Sequence, residues 1–371
     1  MKLSLLQLTN VVADWIQANK IAIDGFTATN NNISGMVDQI GKIYTNETNF
    51  GDYLPQFDGE PLPLGKTIEE YYFDLILPVA HDANGSDTLA PHYATARPAS
   101  FSYTEGEKDI PSSIPYNNLE RAVHNEAQYA ELIASLTKRL YDSFSVAKFN
   151  IKKQALAVLS AKCQEEQGSI TTYAVSTAYA INTCLQSTAS SGIYGIVVKP
   201  ITATSYASYN TWADNVANGY IIILDLVQTI SKPVDTLTSE AWITQVKKDV
   251  ETASFPSEGH SLNGNTIGAT DGLILVVKKG IMPVVEVSAW AGAFNKELLA
   301  LPAEIVKVDD FGNDATGTYA ILMDVRGMRI HQDYLSVLEQ LNAQGHFMNY
   351  WLHYELTAHI SKNTFVKIYK A

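Results

Sequence analysis

The stretch from Asn117 to Gly168 contains no proline, and no glycine before its last residue. Tyr129, Ile133, Leu136, Leu140, Phe144, Ala147, Ile151, Ala155 and Val158 follow one another in steps of three and four, which places them on one apolar stripe of a helix. Asn117 is positioned to cap the start, with Glu120 three residues on completing a capping box, and Gly168 suits the left-handed residue past the end. At about 1.5 Å per residue such a helix extends roughly 60 Å, more than a globular domain of this size needs internally. The expectation is a spine, against the plainer alternative of a long core helix in an α/β enzyme.

The segment before this helix has a different character. Eight of the thirteen prolines lie between Pro55 and Pro115, interleaved with Tyr71, Tyr72, Phe73, Phe101 and Tyr103, a pattern that excludes helix and punctuates strands. From Asn46 to Ile110 there are twelve Asp and Glu against Lys66, Arg97 and Lys108, so this segment carries most of the formal net charge of −13. The helical stretch from Asn118 to Gln167 carries seven Lys and Arg against six acids. A proline-rich, acidic excursion with little aliphatic content cannot form a core of its own and must rest on another surface. A neighbouring copy of the same chain, its acidic loop against a basic helix face, is one such surface. The same subunit, or solvent, is the other.

After Gly168, Tyr194 to Ile201 reads as a strand, Tyr209 to Ile230 as mostly helix, and Ser239 to Glu251 as an amphipathic helix with Ser239 as its cap. A turn-rich passage, Ser254 to Gly272, leads into the apolar run Leu273 to Val277, expected as a buried strand. A helix is expected around Ser288 to Leu301, and Ile305 to Val308 and Ala320 to Asp324 are two further short apolar runs. The tail, Asn349 to Ile368, alternates in the manner of strands. Strands and helices in this order imply an α/β layer. The first fifty residues, with the polar run Thr27 to Ser34, read as an arm.

Several function classes are disfavoured. The acidic balance argues against binding nucleic acid by phosphate neutralisation, though not against enclosing it. Cys163 and Cys184, the two cysteines, belong to no CxxC pair, so a disulfide framework and an oxidising compartment are not indicated. The N-terminus, with Gln7, Thr9 and Asn10 breaking its apolar run, does not resemble a signal peptide, and Tyr220 to Val227 is too short to cross a bilayer. A soluble chain made inside the cell is expected.

No catalytic constellation emerges. Gly65-Lys66-Thr67 looks like the end of a phosphate-binding loop, but Gly59 lies six rather than five residues before Gly65, and Pro61 and Pro63 remove the amides that would cradle a phosphate. His353 and His359 are six apart, unsuited to a shared metal, and no HExxH, GxSxG or dinucleotide fingerprint is present. Glu69-Glu70, Glu165-Glu166 and Asp309-Asp310 are adjacent pairs, as on solvated faces or turns. Neither an enzyme, nor a cofactor, nor a metal site is expected.

Pro63-Leu-Gly-Lys-Thr-Ile-Glu-Glu70, followed by an aromatic and Asp74, resembles the elongated loop of the major capsid proteins of phi-29-like podoviruses. Gly272 to Val277, Ala293-Phe294-Asn295, Ile305 to Gly312, Ala320 to Asp324, Asn349 to Tyr354 and Ser361 to Phe365 are similar in content and order to the end of that family's shell domain. The likeness covers residues 60 to 167 and 270 to 370, and the middle matches only in type. No counterpart of the immunoglobulin-like domain of the best-known relative is expected.

The resemblance implies an α+β fold of the Hong Kong 97 type. It would comprise an N-terminal arm (1–50), an extended β-hairpin loop (51–112), a peripheral domain with the spine helix (113–190 and 326–371) and an axial domain (191–325). It implies a major capsid protein of a tailed phage, forming pentamers and hexamers of an icosahedral virion shell around double-stranded DNA, without catalysis or membrane. Scaffolding and portal proteins are the implied partners, and the host cytoplasm the place of assembly. Some shells of this fold form a Lys-to-Asn isopeptide link, for which Lys66 would be the candidate, but the resembled family is not expected to use it. An encapsulin-type compartment is the alternative with the same fold.

Overall fold

A computed structural model of the chain describes residues 50–62, 68–73, 75, 78, 81, 96–98, 100–115, 126–165, 171–187, 193–202, 211–268, 270, 272–288, 303–312 and 317–371. Residues 1–49 of the expected arm, the Asn117 cap, Gly168 and, beyond Ser288 itself, the helix expected from Ser288 to Leu301 lie outside the described residues.

In chain order the elements are a short 3-10 turn at Pro55–Phe57, β1 (Tyr71–Phe73), β2 (Ala96–Pro98), β3 (Ser100–Pro115), α1 (Glu126–Glu165), β4 (Thr171–Thr172), β5 (Cys184–Gln186) and β6 (Tyr194–Val197). There follow α2 (Trp212–Ala217), β7 (Ile221–Leu224), β8 (Val227–Thr229), α3 (Thr236–Ser254), β9 (Leu273–Lys278) and α4 (Ile281–Ser288). The chain closes with β10 (Glu304–Val308), β11 (Thr318–Asp324), a 3-10 turn at Val325–Gly327, β12 (Met328–Asn342), β13 (Phe347–Ser361) and β14 (Val366–Lys370).

The chain divides into two units. One contains Pro111–Asp142 and Leu338–Trp351; the other contains Asp52–Ile110, Ser143–Val337 and Leu352–Ala371. Helix α1 and strands β3, β12 and β13 each contribute residues to both.

The larger unit is built on a five-stranded sheet of order β10-β9-β11-β14-β8. Strand β9 pairs parallel to β10 and antiparallel to β11, which in turn runs antiparallel to β14, so the layer is mixed. All of Leu273–Val277 is buried, the signature of a strand covered on both faces. Leu273, Leu275 and Val277 pack with Trp242, Val246 and Val250 of α3 and Ile281 and Val285 of α4. Tyr319 and Tyr369 complete this core, with the Tyr369 hydroxyl donating to Asp249 Oδ2 of α3 at 2.7 Å. Helix α1 is tied to the sheet's end by the Ser160–Thr318 hydroxyl pair at 2.8 Å and by Lys153 at 2.8 Å from Asp309. A second sheet, β4-β5-β6-β7, encloses Tyr173, Tyr179, Leu185, Val197, Ile201 and Ile221 under Trp212 of α2. In the smaller unit Leu140 and Tyr350 are buried, Ser113 Oγ lies 2.6 Å from Asn349 Oδ1, and Asn342 Oδ1 accepts from the Gly345 amide in the β12–β13 turn.

The forty-residue α1 agrees with the expected spine: Leu140, Phe144, Ile151 and Ala155 are buried and Ala147 and Val158 half-buried. Side chains of Tyr129, Ile133 and Leu136 lie outside the description. Two expectations are corrected. Between Tyr209 and Ile230 only α2 is helical; Gly219, at φ +66°, follows it, and the β-branched run Ile221–Ile223 then enters β7. Helix α3 begins three residues earlier than expected, capped by Asp235 in a reciprocal box with Thr238, while Ser239 is buried inside it.

Candidate assembly surface and its anchors

Lys148 and Lys152, four apart on α1, share one face. Lys152 has no exposed side-chain surface, and its Nζ lies 2.7 Å from Asp58 Oδ1 and 2.9 Å from Asp52 Oδ1. It also donates to the carbonyls of Tyr53 and Leu54, both at 2.9 Å. Lys148 reaches the other oxygens of the same carboxylates, 2.9 Å to Asp58 and 3.2 Å to Asp52. From β12, Arg329 donates to the carbonyls of Gln56 and Asp58, and His331 Nδ1 lies 2.6 Å from the Glu60 carbonyl. Residues 52–60 thus form a strap fastened by five charged side chains and His331, with Phe57 driven into the core beneath. Burial works against ionisation of Asp52 but is outweighed by its hydrogen bonds with Asp58 and Lys152 and the charges of Lys152 and Lys148, which bring its pKa down to about 2. At Asp52 and Asp58 the acidic segment therefore meets the basic helix face within one subunit.

The loop base is fastened independently. Ser361 Oγ donates to Glu70 Oε1 at 2.9 Å, and the Tyr72 hydroxyl donates to the Thr266 carbonyl at 2.9 Å. His359 Nε2 lies 3.8 Å from Glu70 Oε2, and burial, aided by His331, holds this imidazole below its ordinary value. Glu69 accepts from the exposed Tyr71 hydroxyl. Of the two adjacent acids, Glu70 is thus engaged by its own subunit. Lys66 and Gly65 lie outside the described residues.

Strand β1 pairs antiparallel to β2, Tyr71 opposite Pro98 and Phe73 opposite Ala96. Because alternate residues face opposite sides, turning Tyr72 inward leaves Tyr71 and Phe73 outward. They are 57% and 62% exposed, and Leu75, two residues further, is 66% exposed. Three large apolar side chains in alternation with water are a surface that needs a cover.

Other features carry less chemistry. The adjacent acids Asp309 and Asp310 hold Lys153, and Asp310 Oδ1 also accepts from the Gly312 amide of a turn. Cys184 is half-buried and is in no disulfide among the described residues. A concavity of about 400 Å³ over α3, lined by Leu237, Glu240, Ala241, Thr244, Gln245 and Lys248, is one open helix face. His353 Nδ1 contacts Asp109 Oδ1, with Glu107 beside them. Sequence reasoning missed this group and the lysine strap, since each joins residues about a hundred or more positions apart. Among the described residues no helix is long and apolar enough to cross a membrane.

Comparison with solved structures places this mixture of helix and sheet among chains of phage particles. A chain from the capsid structure of Staphylococcus phage Andhra matches with TM-score 0.51 and 10% identity, over 89% of this chain and 88% of that one. A chain from a structure of the head fiber and inner core protein of native bacteriophage P68 matches with TM-score 0.52 and 10% identity over the same shares. The fold is thus of a class found in phage particles. Residues 6–366 match the family model described as Phi29-like phage major capsid protein, and the chain belongs to that family. The major capsid protein of Bacillus phage PZA is 20% identical over 342 residues, 91% of this chain. The chain spans 62% of that relative's length. Family membership favours a phage shell over an encapsulin-type compartment.

Proposed function

We propose that the chain assembles with copies of itself into pentamers and hexamers of an icosahedral shell, in the host cytoplasm, around the double-stranded DNA of a tailed phage. Scaffolding and portal proteins would join it there. It acts by packing rather than by turnover, with closure of the shell making many modest contacts collectively strong. In this reading the fold is of the Hong Kong 97 type: residues 1–50 are an arm, 51–112 the extended loop, 113–190 and 326–371 the peripheral domain, and 191–325 the axial domain.

The family match over residues 6–366 is what carries this reading. The outward face of Tyr71, Phe73 and Leu75 supports it, since a neighbouring subunit would cover that face. The strap at Asp52 and Asp58 ties the loop's base to its own subunit and, among the described residues, leaves the face of Tyr71, Phe73 and Leu75 for another.

The experiment is light scattering and negative-stain electron microscopy on the purified chain, alone and with a co-expressed scaffolding protein. Closed particles or capsomers are expected. Tyr71→Ser with Phe73→Ser should leave circular dichroism unchanged and reduce the assembled fraction at least about tenfold, as loss of an interface anchor does. A chain that stays monomeric under both conditions would sink the proposal.

A further inference from the structure

We propose that Glu107, Asp109 and His353 form a binding site for one divalent cation of zinc-like preference. Glu107 and Asp109 are two residues apart on β3 and so lie on one face of that strand. His353 comes from β13, the neighbouring strand in the three-stranded sheet. One ligand atom from each residue lies within 4.8 Å of the other two, close enough for a single ion to draw all three to a bonding distance of about 2.0–2.2 Å. His353 Nδ1 already contacts Asp109 Oδ1, so these two ligand atoms meet without rearrangement of either strand.

The donor set selects the metal. One imidazole nitrogen with two carboxylate oxygens matches zinc and its first-row neighbours, whereas magnesium prefers an all-oxygen shell and keeps its water. The remaining position would be filled by water. Glu107 and Asp109 are exposed and His353 half-buried, so an ion can enter without the fold opening.

Elsewhere on β13 a histidine meets an acid differently. His359 lies 3.8 Å from Glu70, the pair is more buried, and no second acid joins it as a ligand among the described residues. That pair is an anchor. The Glu107–Asp109–His353 group sits outside the core, where a coordinated ion would clip β3 to β13 and fix the register of two long strands.

The full chain, stripped with chelator, is titrated with zinc by calorimetry and with cobalt(II) by visible absorption. Expected are one equivalent bound with Kd of about 10 μM or tighter, imidazole-type cobalt bands, and no comparable heat with magnesium. His353→Ala and Glu107→Gln should each weaken zinc at least about tenfold and abolish the zinc-dependent rise in Tm, with circular dichroism unchanged. His353→Gln serves if the alanine variant does not fold. No saturable binding below about 100 μM would overturn the proposal, as would magnesium binding equally well. So would an affinity unchanged in both variants, which would mean an adventitious ion only.

Discussion

Lys152 Nζ lies 2.7 Å from Asp58 Oδ1, and the lysine side chain has no exposed surface while Asp58 keeps about a third of its own. The ion pair is dry on the side of the cation and wet on the side of the anion. Removing the lysine would leave two carboxylates facing each other, deprive the Tyr53 carbonyl of this donor and leave the Leu54 carbonyl with the Phe57 amide. Lys152→Met is therefore expected to destabilise the subunit by about 3 kcal/mol, as breaking a buried pair does. Lys148→Met, whose lysine is partly exposed, should cost about 1 kcal/mol. Urea denaturation of the unassembled subunit measures both, and equal effects would contradict the distinction.

The strap also has a sign with pH. The folded pKa of Asp52 is about 2, below its ordinary value of 3.8, so its ionised form is favoured by folding. The stability it contributes is present above pH 4 and is lost as pH falls through 2. Because Asp52 is largely solvated, that contribution is discounted to about 1 kcal/mol. The stability difference between the native chain and Asp52→Asn should be constant from pH 7 to 5 and shrink below pH 4. Urea midpoints at pH 7, 5, 4 and 3 test this; a difference that grows on acidification would refute it.

Local pattern carried much of this architecture and pairing carried the rest. The apolar stripe of α1 and the continuous run Leu273–Val277 declare themselves, because one periodicity or one burial state persists over many residues. Strand β12 does not: Leu335, Leu338 and Leu341 recur every three residues, a helix-like spacing, and much of the strand is half-exposed. Its strand state comes from pairing with β13. The failed helix at Ile221–Ile223 shows the converse, β-branching deciding against a helical pattern. Acid against basic helix was legible as a charge imbalance. That Asp52 and Asp58 meet Lys148 and Lys152 in their own subunit was not, since composition says nothing of which copy a loop returns to. Likewise the acids Glu107 and Asp109 are visible in sequence, but nothing local says that His353 faces them.

Gly259 shows how a backbone approach can support the loop from a distance. At φ +82° it lies so close to β7 that a Cβ would stand 2.1 Å from the Ile223 carbonyl oxygen. The Gly259 carbonyl accepts from the Asp225 amide at 2.8 Å, which locks the two segments together. The passage that follows includes buried Ser261, Asn263 and Asn265 and presents the Thr266 carbonyl to Tyr72. Gly280 has φ +88° but nothing within 4 Å of its would-be Cβ, so it isolates the conformational cost alone. Gly280→Ala should cost about 1 kcal/mol, and Gly259→Ala about 3 kcal/mol, since the second must also displace a backbone oxygen or give up the Asp225 bond. In thermal unfolding the second should lower Tm about three times as far as the first. Because the shifted passage holds the hairpin base through Tyr72, Gly259→Ala should also speed protease cleavage of the loop, and Gly280→Ala should not. Equal cleavage rates in the two variants would detach the glycine from the loop.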